Sequence, residues 1–328
     1  MDYLTADTLP WLHEPMARWR EAWRARRLPQ ALLITSAPGL GAELLASWIT
    51  ALTLCESPSQ AGPCGVCASC QLLRADTHPD FYLVRLEEDA QQIKVDQIRD
   101  LIESLSLSSY RSGYKLAIIQ GAEALNANSA NALLKTLEEP TDKTLLILIT
   151  RPSHRLPATI ASRCVKLQLR TPEQSLAIGW LAARDPGVTD WRAALALAGG
   201  APLLALDLPA SSIARLDEEM RDSLRRLQAD TVDVTVLAQS WVKSDPALRL
   251  SWLENWITGQ VHALLGCSTS CQSAEPVRLP AALLKPKIRA LFRLLDASRE
   301  WRRLASTGLN QQLALEALLL GGRAALAS

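Results

Sequence analysis

The chain has 328 residues, a length that suits roughly two or three domains, and 48% of them are apolar, which is enough for a sizeable core. The net charge of +1, from 35 basic and 34 acidic residues, argues against a protein that binds nucleic acid through overall charge alone. The N-terminal stretch carries acids and a proline before any apolar run, and no apolar stretch approaches about 18 residues. We therefore expect a cytoplasmic protein with no signal peptide and no membrane partner.

Strand and helix patterns alternate through the first half of the chain. Residues 14–28 carry Trp19 and Trp23 one helical turn apart, which is typical of an amphipathic helix. Short apolar runs predict strands at 31–35, 81–86, 114–120, 144–150 and 164–169, with helices at 42–54, 95–107 and 126–140. Apolar strands that alternate with helices predict an α/β fold, in which helices cover both faces of a parallel sheet.

The strand patterns end after about residue 170. From there, Ala, Leu, Arg and Trp recur at helical spacing, and the sequence predicts two all-helical regions. The shorter region closes near a Gly-Gly-Ala-Pro segment and Pro209. The predicted domains are therefore 1–168, 169–209 and 210–328.

The segment ITSAPGLGAELLA has the layout of a phosphate-binding loop between a strand and a helix. In the pattern G-x-x-x-x-G-K-[ST], backbone N–H groups hold the phosphates, Lys neutralises them and Ser/Thr binds Mg²⁺. Gly39 and Gly41 keep the flexibility of such a loop, but Ser36 replaces its first glycine. Ala42 and Glu43 replace the Lys and the Ser/Thr, so this segment supplies no positive charge and would repel a polyphosphate.

A second part of the same site is also missing. A nucleotide hydrolase of this class needs an Asp for Mg²⁺ and usually a Glu base at the end of the third strand, where this chain has Gln120 and Gly121. The two losses together favour a degenerate nucleotide site that binds no ATP. Two alternatives are an ordinary strand-to-helix turn that never bound nucleotide and an active ATPase with an unusual phosphate loop.

The chain contains seven cysteines, an odd number that argues against a disulfide framework in a cytosolic protein. Cys267 and Cys271 lie in a Ser/Thr-rich stretch without visible partners, and we expect them to be free thiols.

Four of the cysteines, Cys55, Cys64, Cys67 and Cys70, lie within 16 residues after the first strand–helix unit. Paired C-x2-C steps supply adjacent corners of a tetrahedral Zn²⁺ site, and four thiolates leave no open coordination position. The spacing therefore predicts one structural zinc ion. The alternatives are a loop that merely carries thiols and a zinc-ribbon module that binds nucleic acid, although no aromatic and basic residues alternate near the cysteines.

Several longer segments carry a family resemblance across about residues 25–170. They are THPDF at 77–81, IKVDQIRDLIESL at 93–105, YKLAIIQGAEALNANSANALLKTLEEP at 114–140 and LPATIASRC at 156–164. Together they resemble the AAA+ clamp-loader subunits of bacterial DNA replication. The resemblance implies a RecA-like AAA+ domain with the zinc module, a small helical lid and a helical collar that joins subunits into a ring. Within this family, the absence of the nucleotide-binding residues is similar to that of a subunit that does not hydrolyse ATP. The resemblance therefore implies a subunit of a DNA polymerase holoenzyme that has no catalytic activity of its own.

The resemblance also implies a role for the Ser-Arg-Cys motif formed by Ser162, Arg163 and Cys164. In this family the arginine enters the ATP site of a neighbouring subunit as an arginine finger, while Ser162 fixes the helix end and Cys164 packs. The alternative is that Arg163 pairs with a surface carboxylate. The implied partners are the gamma/tau and delta subunits, and, through the complex, the sliding clamp and primer–template DNA.

One helix of the resembling region has a polar stripe. Its residues are Asn128, Asn131, Lys135 and Glu138. The stripe would face a neighbouring subunit, DNA or solvent.

Overall fold

The computed structural model describes residues 8–87, 90, 92–111, 113–151, 156–187, 190–208, 210–265, 281–304 and 310–327. The chain divides into two compact units, Met1–Trp180 and Leu181–Ser328. This division falls inside the predicted second domain, so the three domain boundaries stay a prediction. Within the described ranges, no helix is long and apolar enough to cross a membrane.

The first unit contains a five-stranded sheet, whose strands are β1 Ala31–Thr35, β2 Phe81–Val84, β3 Lys115–Gln120, β4 Thr144–Thr150 and β5 Val165–Gln168. They are all parallel, in the order β2-β3-β4-β1-β5. Every residue of β4 is buried, because strands flank it on both sides and helices cover its faces. The predicted parallel α/β sheet is confirmed. The bounds of β1 and β4 are as predicted, and the other strands are one or two residues shorter.

The helices that begin in this unit are α1 His13–Arg24, α2 Ala42–Leu54, α3 Ala68–Arg74, α4 Val95–Ser106, α5 Ala127–Glu138, α6 Ala158–Ala161 and α7 Gln174–Arg184. Alternate side chains of a strand point to opposite faces of a sheet. On one face, Leu33 and Ile119 pack in a cluster with Ile98 of α4 and Leu133 of α5. The helix α2 contributes nothing to that cluster, contacts β3 and β4, and is buried along almost its whole length. Helices thus cover both faces, as predicted.

The described residues of the second unit form helices and no strand. These helices are α8 Trp191–Leu197, α9 Pro202–Leu206, α10 Ala210–Gln228, α11 Val234–Lys243, α12 Pro246–Leu264, α13 Ala281–Leu304 and α14 Gln311–Ala327. The helix α14 packs against α11 and α13, and α12 packs against α8 and α13. Trp241 and Trp252 are buried in this unit, and the ring of Trp256 stacks on Trp252. The predicted all-helical character of the C-terminal part is therefore confirmed.

Candidate functional site

The loop after β1 joins the strand to the N-terminus of α2, which is the layout that the sequence predicts. The Ser36 N–H donates to the end of β4 at 3.0 Å and so extends the sheet into the loop. Gly39 and Gly41 have φ angles of 77° and 85°, in the left-handed region that glycine adopts without strain. Gly41 is the N-cap of α2, followed by buried Ala42 and exposed Glu43. A helix N-terminus attracts anions, but here its first turn carries a carboxylate and no cation.

The turn after β3 lies at the same edge of the sheet. Gln120 is the last residue of β3, and Gly121 follows with a φ of 76°. Only β4 separates β3 from β1, and all three end at the carboxyl edge, where ligands of such sheets bind. The positions at which a nucleotide hydrolase would carry its Lys and its acids therefore lie at one edge of the fold.

A carboxylate that the sequence did not single out, that of Glu123, also lies just after the end of β3. Its Oε2 accepts the Arg151 N–H at 3.2 Å, and its Oε1 lies 3.6 Å from Arg151 Nε. An acid three residues beyond a strand end was the available signal. In this structure Glu123 is engaged in an ion pair.

Two tryptophans that no sequence pattern pointed to lie beside the loop after β1. The Trp11 indole N–H donates to the Leu40 carbonyl at 2.9 Å, and the Trp180 indole N–H donates to the Thr8 carbonyl at 2.6 Å. The two rings pack edge to face with centroids 5.1 Å apart. The segment before α1 is thus tied both to the loop and to α7.

The structure brings together all four cysteines of the predicted zinc module. Cys55 follows α2, Cys67 is the N-cap of α3, and Cys70 lies within α3. The four Sγ atoms lie within 4.8 Å of one another, and those of Cys55 and Cys67 are 3.9 Å apart. Tetrahedral Zn–S bonds of about 2.3 Å place neighbouring sulfurs about 3.8 Å apart, so this donor set fits a structural zinc ion.

Backbone N–H groups already point at the sulfurs of the module. The Cys64 N–H donates to Cys55 Sγ at 3.3 Å, the Cys67 N–H to Cys64 Sγ at 3.3 Å, and the Cys70 N–H to Cys67 Sγ at 3.4 Å. Hydrogen bonds from the backbone of Val66 and Cys67 lower the pKa of Cys64 to about 6, whereas burial raises the pKa of Cys55. Thiolates are the metal-binding form, so the fold itself favours the ligand state at Cys64.

Contacts with α1 and α2 hold the cysteine module in place within the first unit. Arg20 and Arg24 of α1 donate to the carbonyls of Ala61 and Gln60 at 2.8 and 3.1 Å. A Cβ on Gly62 would lie only 3.2 Å from the Trp48 ring, so this loop packs directly on α2. Because α2 has 13 residues, the module lies roughly 20 Å from the degenerate loop, which suits a structural role.

A buried polar chain joins the module to the loop before β3. The Ser69 hydroxyl lies 2.7 Å from His78 Nε2, and His78 Nδ1 accepts the Asp80 N–H at 3.1 Å. Burial lowers the pKa of His78, so its ring is neutral, with the proton on Nε2 facing Ser69. The Asp80 carboxylate in turn accepts the N–H groups of Tyr110 and Arg111 at 2.7 and 3.1 Å. The sequence motif THPDF therefore contributes a structural network.

Arg163 follows the short helix α6, with Ser162 as its C-cap. The Ser162 hydroxyl donates to the Thr159 carbonyl at 3.1 Å. The Arg163 Nη1 donates to the same carbonyl at 2.9 Å, and Nη2 lies 2.5 Å from Glu138 Oε1. Arg163 therefore does pair with a surface carboxylate, as one alternative predicts, while 36% of its side chain stays exposed. Cys164 is buried, and this burial raises its pKa to about 11.

The structure separates Arg163 from the loop after β1 of its own chain. The strand β5 pairs in parallel with β1 from Leu32↔Val165 to Thr35↔Gln168. Arg163 precedes β5 at the amino edge, whereas the loop follows β1 at the carboxyl edge. At about 3.3 Å per residue, the strands alone separate them by roughly 10 Å.

The remaining predicted site residues fall into two groups. Asn128, Asn131, Lys135 and Glu138 are all exposed on α5, as the predicted polar stripe requires. Cys267 and Cys271 lie outside the described residues.

Comparisons with known proteins assign a family to this arrangement. Residues 12–173 match the family profile described as DNA polymerase III, delta subunit. The DNA polymerase III subunit delta' of Pseudomonas aeruginosa is 33% identical over 322 residues, which cover 96% of this chain and 97% of that protein. The subunit of the same name from Escherichia coli is 31% identical over 315 residues, which cover 95% and 94%. A solved DNA polymerase III gamma subunit-related protein of Thermotoga maritima aligns over 95% of this chain and 99% of its own, with 18% identity and a TM-score of 0.46.

Proposed function

The chain belongs to the family of DNA polymerase III delta-prime subunits, and we propose that it serves in the clamp-loader complex as a subunit that hydrolyses no ATP of its own. It acts as a stator beside the gamma/tau and delta subunits. It supplies Arg163 to the ATP site of a neighbouring subunit while the sliding clamp is loaded onto primed DNA.

The position of Arg163 is the observation that carries this proposal. Its guanidinium is partly exposed at the amino edge of the sheet, and the degenerate loop is at the carboxyl edge. An arginine in this place has no phosphate to stabilise within its own chain. It is available to a phosphate that a partner subunit binds. There, a guanidinium neutralises the charge that develops on the γ-phosphoryl group during its transfer.

The residues of the chain's own loop after β1 support the part of the proposal that this subunit hydrolyses no ATP. The glycine-dependent backbone persists, but Ala42 and Glu43 offer no cation. Gln120 and Gly121 offer no acid for Mg²⁺ at the end of β3. The loop therefore serves as part of the scaffold, and ATP is not a ligand of this chain.

Further parts of the proposal follow from the resemblance. The chain divides into an AAA+ domain at 1–168, a helical lid at 169–209 and a helical collar at 210–328 that joins it to its partners. One Zn²⁺ is held by Cys55, Cys64, Cys67 and Cys70, where it cross-links the end of α2 to the start of α3. The protein works in the cytoplasm and reaches clamp and DNA through the complex.

Reconstitution of the loader with Arg163→Ala tests the function. We expect ATP hydrolysis stimulated by clamp and primed DNA to fall steeply at the receiving site, on the order of 10³-fold for arginine fingers in general. ATP binding by the partner subunits should persist. Arg18→Ala is a matched control, because Arg18 is also an exposed arginine paired with a glutamate. Unchanged hydrolysis in the Arg163→Ala loader would refute the proposal.

A further inference from the structure

We infer that Glu138 is a positioning residue for the arginine finger, which holds the Arg163 guanidinium in the orientation that it presents to the neighbouring subunit. This inference rests on the proposed function of Arg163 and assigns a partner to it within this chain.

Two contacts from two different elements fix the guanidinium. Glu138, the last residue of α5, binds Nη2 at 2.5 Å, and the Thr159 carbonyl of α6 binds Nη1 at 2.9 Å. The helices α5 and α6 pack against each other, and their apolar sides share one core. A free arginine side chain can adopt many rotamers. Because both Nη atoms of Arg163 are bound within the chain, its guanidinium loses most of this rotamer freedom before a partner subunit binds.

The arrangement leaves the guanidinium able to bind a phosphate. A guanidinium carries five N–H donors, of which Glu138 and Thr159 engage one each, so three remain. The exposure of 36% for the Arg163 side chain leaves it accessible to a neighbouring molecule. Glu138 can therefore stay bound while the remaining donors engage a phosphoryl oxygen.

Glu138 is also electrostatically suited to this position. It ends α5, where the partial negative charge of the helix C-terminus adds to the attraction for a cation. Glu139, the next residue, is exposed as well, but the structure assigns no contact to its side chain. The two glutamates are adjacent in sequence and differ in their relation to Arg163, which makes Glu139 a matched control.

The opposite role for Glu138 would be that of a competitor, which withholds Arg163 from the phosphate until the ion pair breaks. The two roles predict opposite effects when the carboxylate is removed. A positioning residue aids hydrolysis, so its loss lowers the rate. A competitor hinders hydrolysis, so its loss raises the rate.

The test is a double-mutant cycle in the reconstituted loader with Glu138→Ala, Arg163→Ala, the double variant and Glu139→Ala. We expect Glu138→Ala to lower clamp- and DNA-stimulated kcat about two- to five-fold, the range of an exposed ion pair, with the KM for ATP unchanged. In the Arg163→Ala background the same change should have no effect, and Glu139→Ala should be neutral. Glu138→Gln, which keeps an acceptor oxygen, should be intermediate.

The outcomes separate this inference from the proposed function. If Arg163→Ala lowers hydrolysis but Glu138→Ala does not, or raises it, the positioning role is refuted and the finger stands. If Arg163→Ala has no effect, the proposed function fails and this inference fails with it.

A second readout uses the free chain and needs no partner. In spectra of ¹⁵N-labelled arginine side chains, the Arg163 guanidinium should be restrained in the wild-type protein. It should rotate measurably faster in Glu138→Ala, where only the hydrogen bond to the Thr159 carbonyl remains. The same spectrum in Glu139→Ala should match the wild type. A guanidinium equally mobile with and without Glu138 would refute the inference.

Discussion

The indole N–H of Trp11 donates to the carbonyl of Leu40, 2.9 Å away, in the loop between β1 and α2. Leu40 itself is buried, and the Trp11 ring packs on the edge of Trp180. Contacts within the protein therefore help to hold the loop between β1 and α2 in place.

The first prediction is that the isolated chain does not bind Mg-ATP in the micromolar range. The loop offers Ala42 and Glu43 where a cation and a hydroxyl are needed to bind the phosphates and Mg²⁺. Isothermal titration of the chain with Mg-ATP should show no saturable heat. A micromolar dissociation constant would instead establish an active site with an unusual loop.

A gain-of-function variant tests whether Ala42 and Glu43 are the reason that the loop does not bind nucleotide. In Ala42→Lys with Glu43→Thr, the restored cation and hydroxyl should produce measurable nucleotide binding. Hydrolysis should still be absent, because Gln120 and Gly121 supply neither a Mg²⁺ ligand nor a base. Turnover by this variant would show that another acid, such as Glu123, can take over.

The second prediction concerns zinc content. Freshly reduced protein should contain about one zinc ion per chain by mass spectrometry of the metal, since four sulfurs within 4.8 Å of one another form a closed donor set. Cys64→Ser should lose most of the metal. Cys164→Ala is the control that should keep it, because Cys164 lies in the core and not in the cluster. A content below about half an ion per chain would exclude the site.

The third prediction is an order of thiol reactivity after removal of metal by a chelator. Backbone hydrogen bonds lower the pKa of Cys64 to about 6, so at pH 7 it is mostly thiolate and should react first with iodoacetamide. Its rate should fall as the pH drops below about 6, because the thiol becomes protonated. Burial raises the pKa of Cys164 to about 11, so it stays protonated and should react only after unfolding. Mass spectrometry of the labelled peptides measures both, and equal labelling rates would contradict the prediction.

The sequence predicted those features that local patterns encode. The bounds of β1, α2 and β4 follow from uninterrupted apolar runs and from the glycines that precede the helix. The four cysteines were predicted to meet because metal-ligand spacing brings ligands together over a short stretch. Such features depend on neighbours in the chain and are therefore visible in one sequence.

Contacts between distant residues were not predictable in the same way. Trp11 and Leu40 are 29 residues apart, and Asp80 and Tyr110 are 30 apart. Sequence analysis raised a surface carboxylate as a possible partner of Arg163, but nothing in the chain identified Glu138 among the exposed acids. That pair depends on the packing of α5 against α6, which no periodicity records.

The fourth prediction concerns the buried carboxylate of Asp80, which is 2% exposed and accepts two backbone N–H groups at 2.7 and 3.1 Å. Asp80→Ala leaves both donors without this acceptor, and we expect it to lower the free energy of unfolding by about 2–3 kcal/mol. Asp80→Asn keeps one acceptor oxygen and should cost roughly half as much. Urea denaturation measures the change.

Asp142 provides the control for this measurement, because it is an exposed aspartate of the same unit. Asp142→Ala should change stability by no more than about 0.5 kcal/mol. Because the Tyr110 and Arg111 N–H groups donate to the Asp80 carboxylate, Asp80→Ala should also raise amide hydrogen exchange at these two residues. If the exchange at those two amides stays at the wild-type rate, the Asp80 carboxylate does not hold this loop, and any loss of stability has another origin.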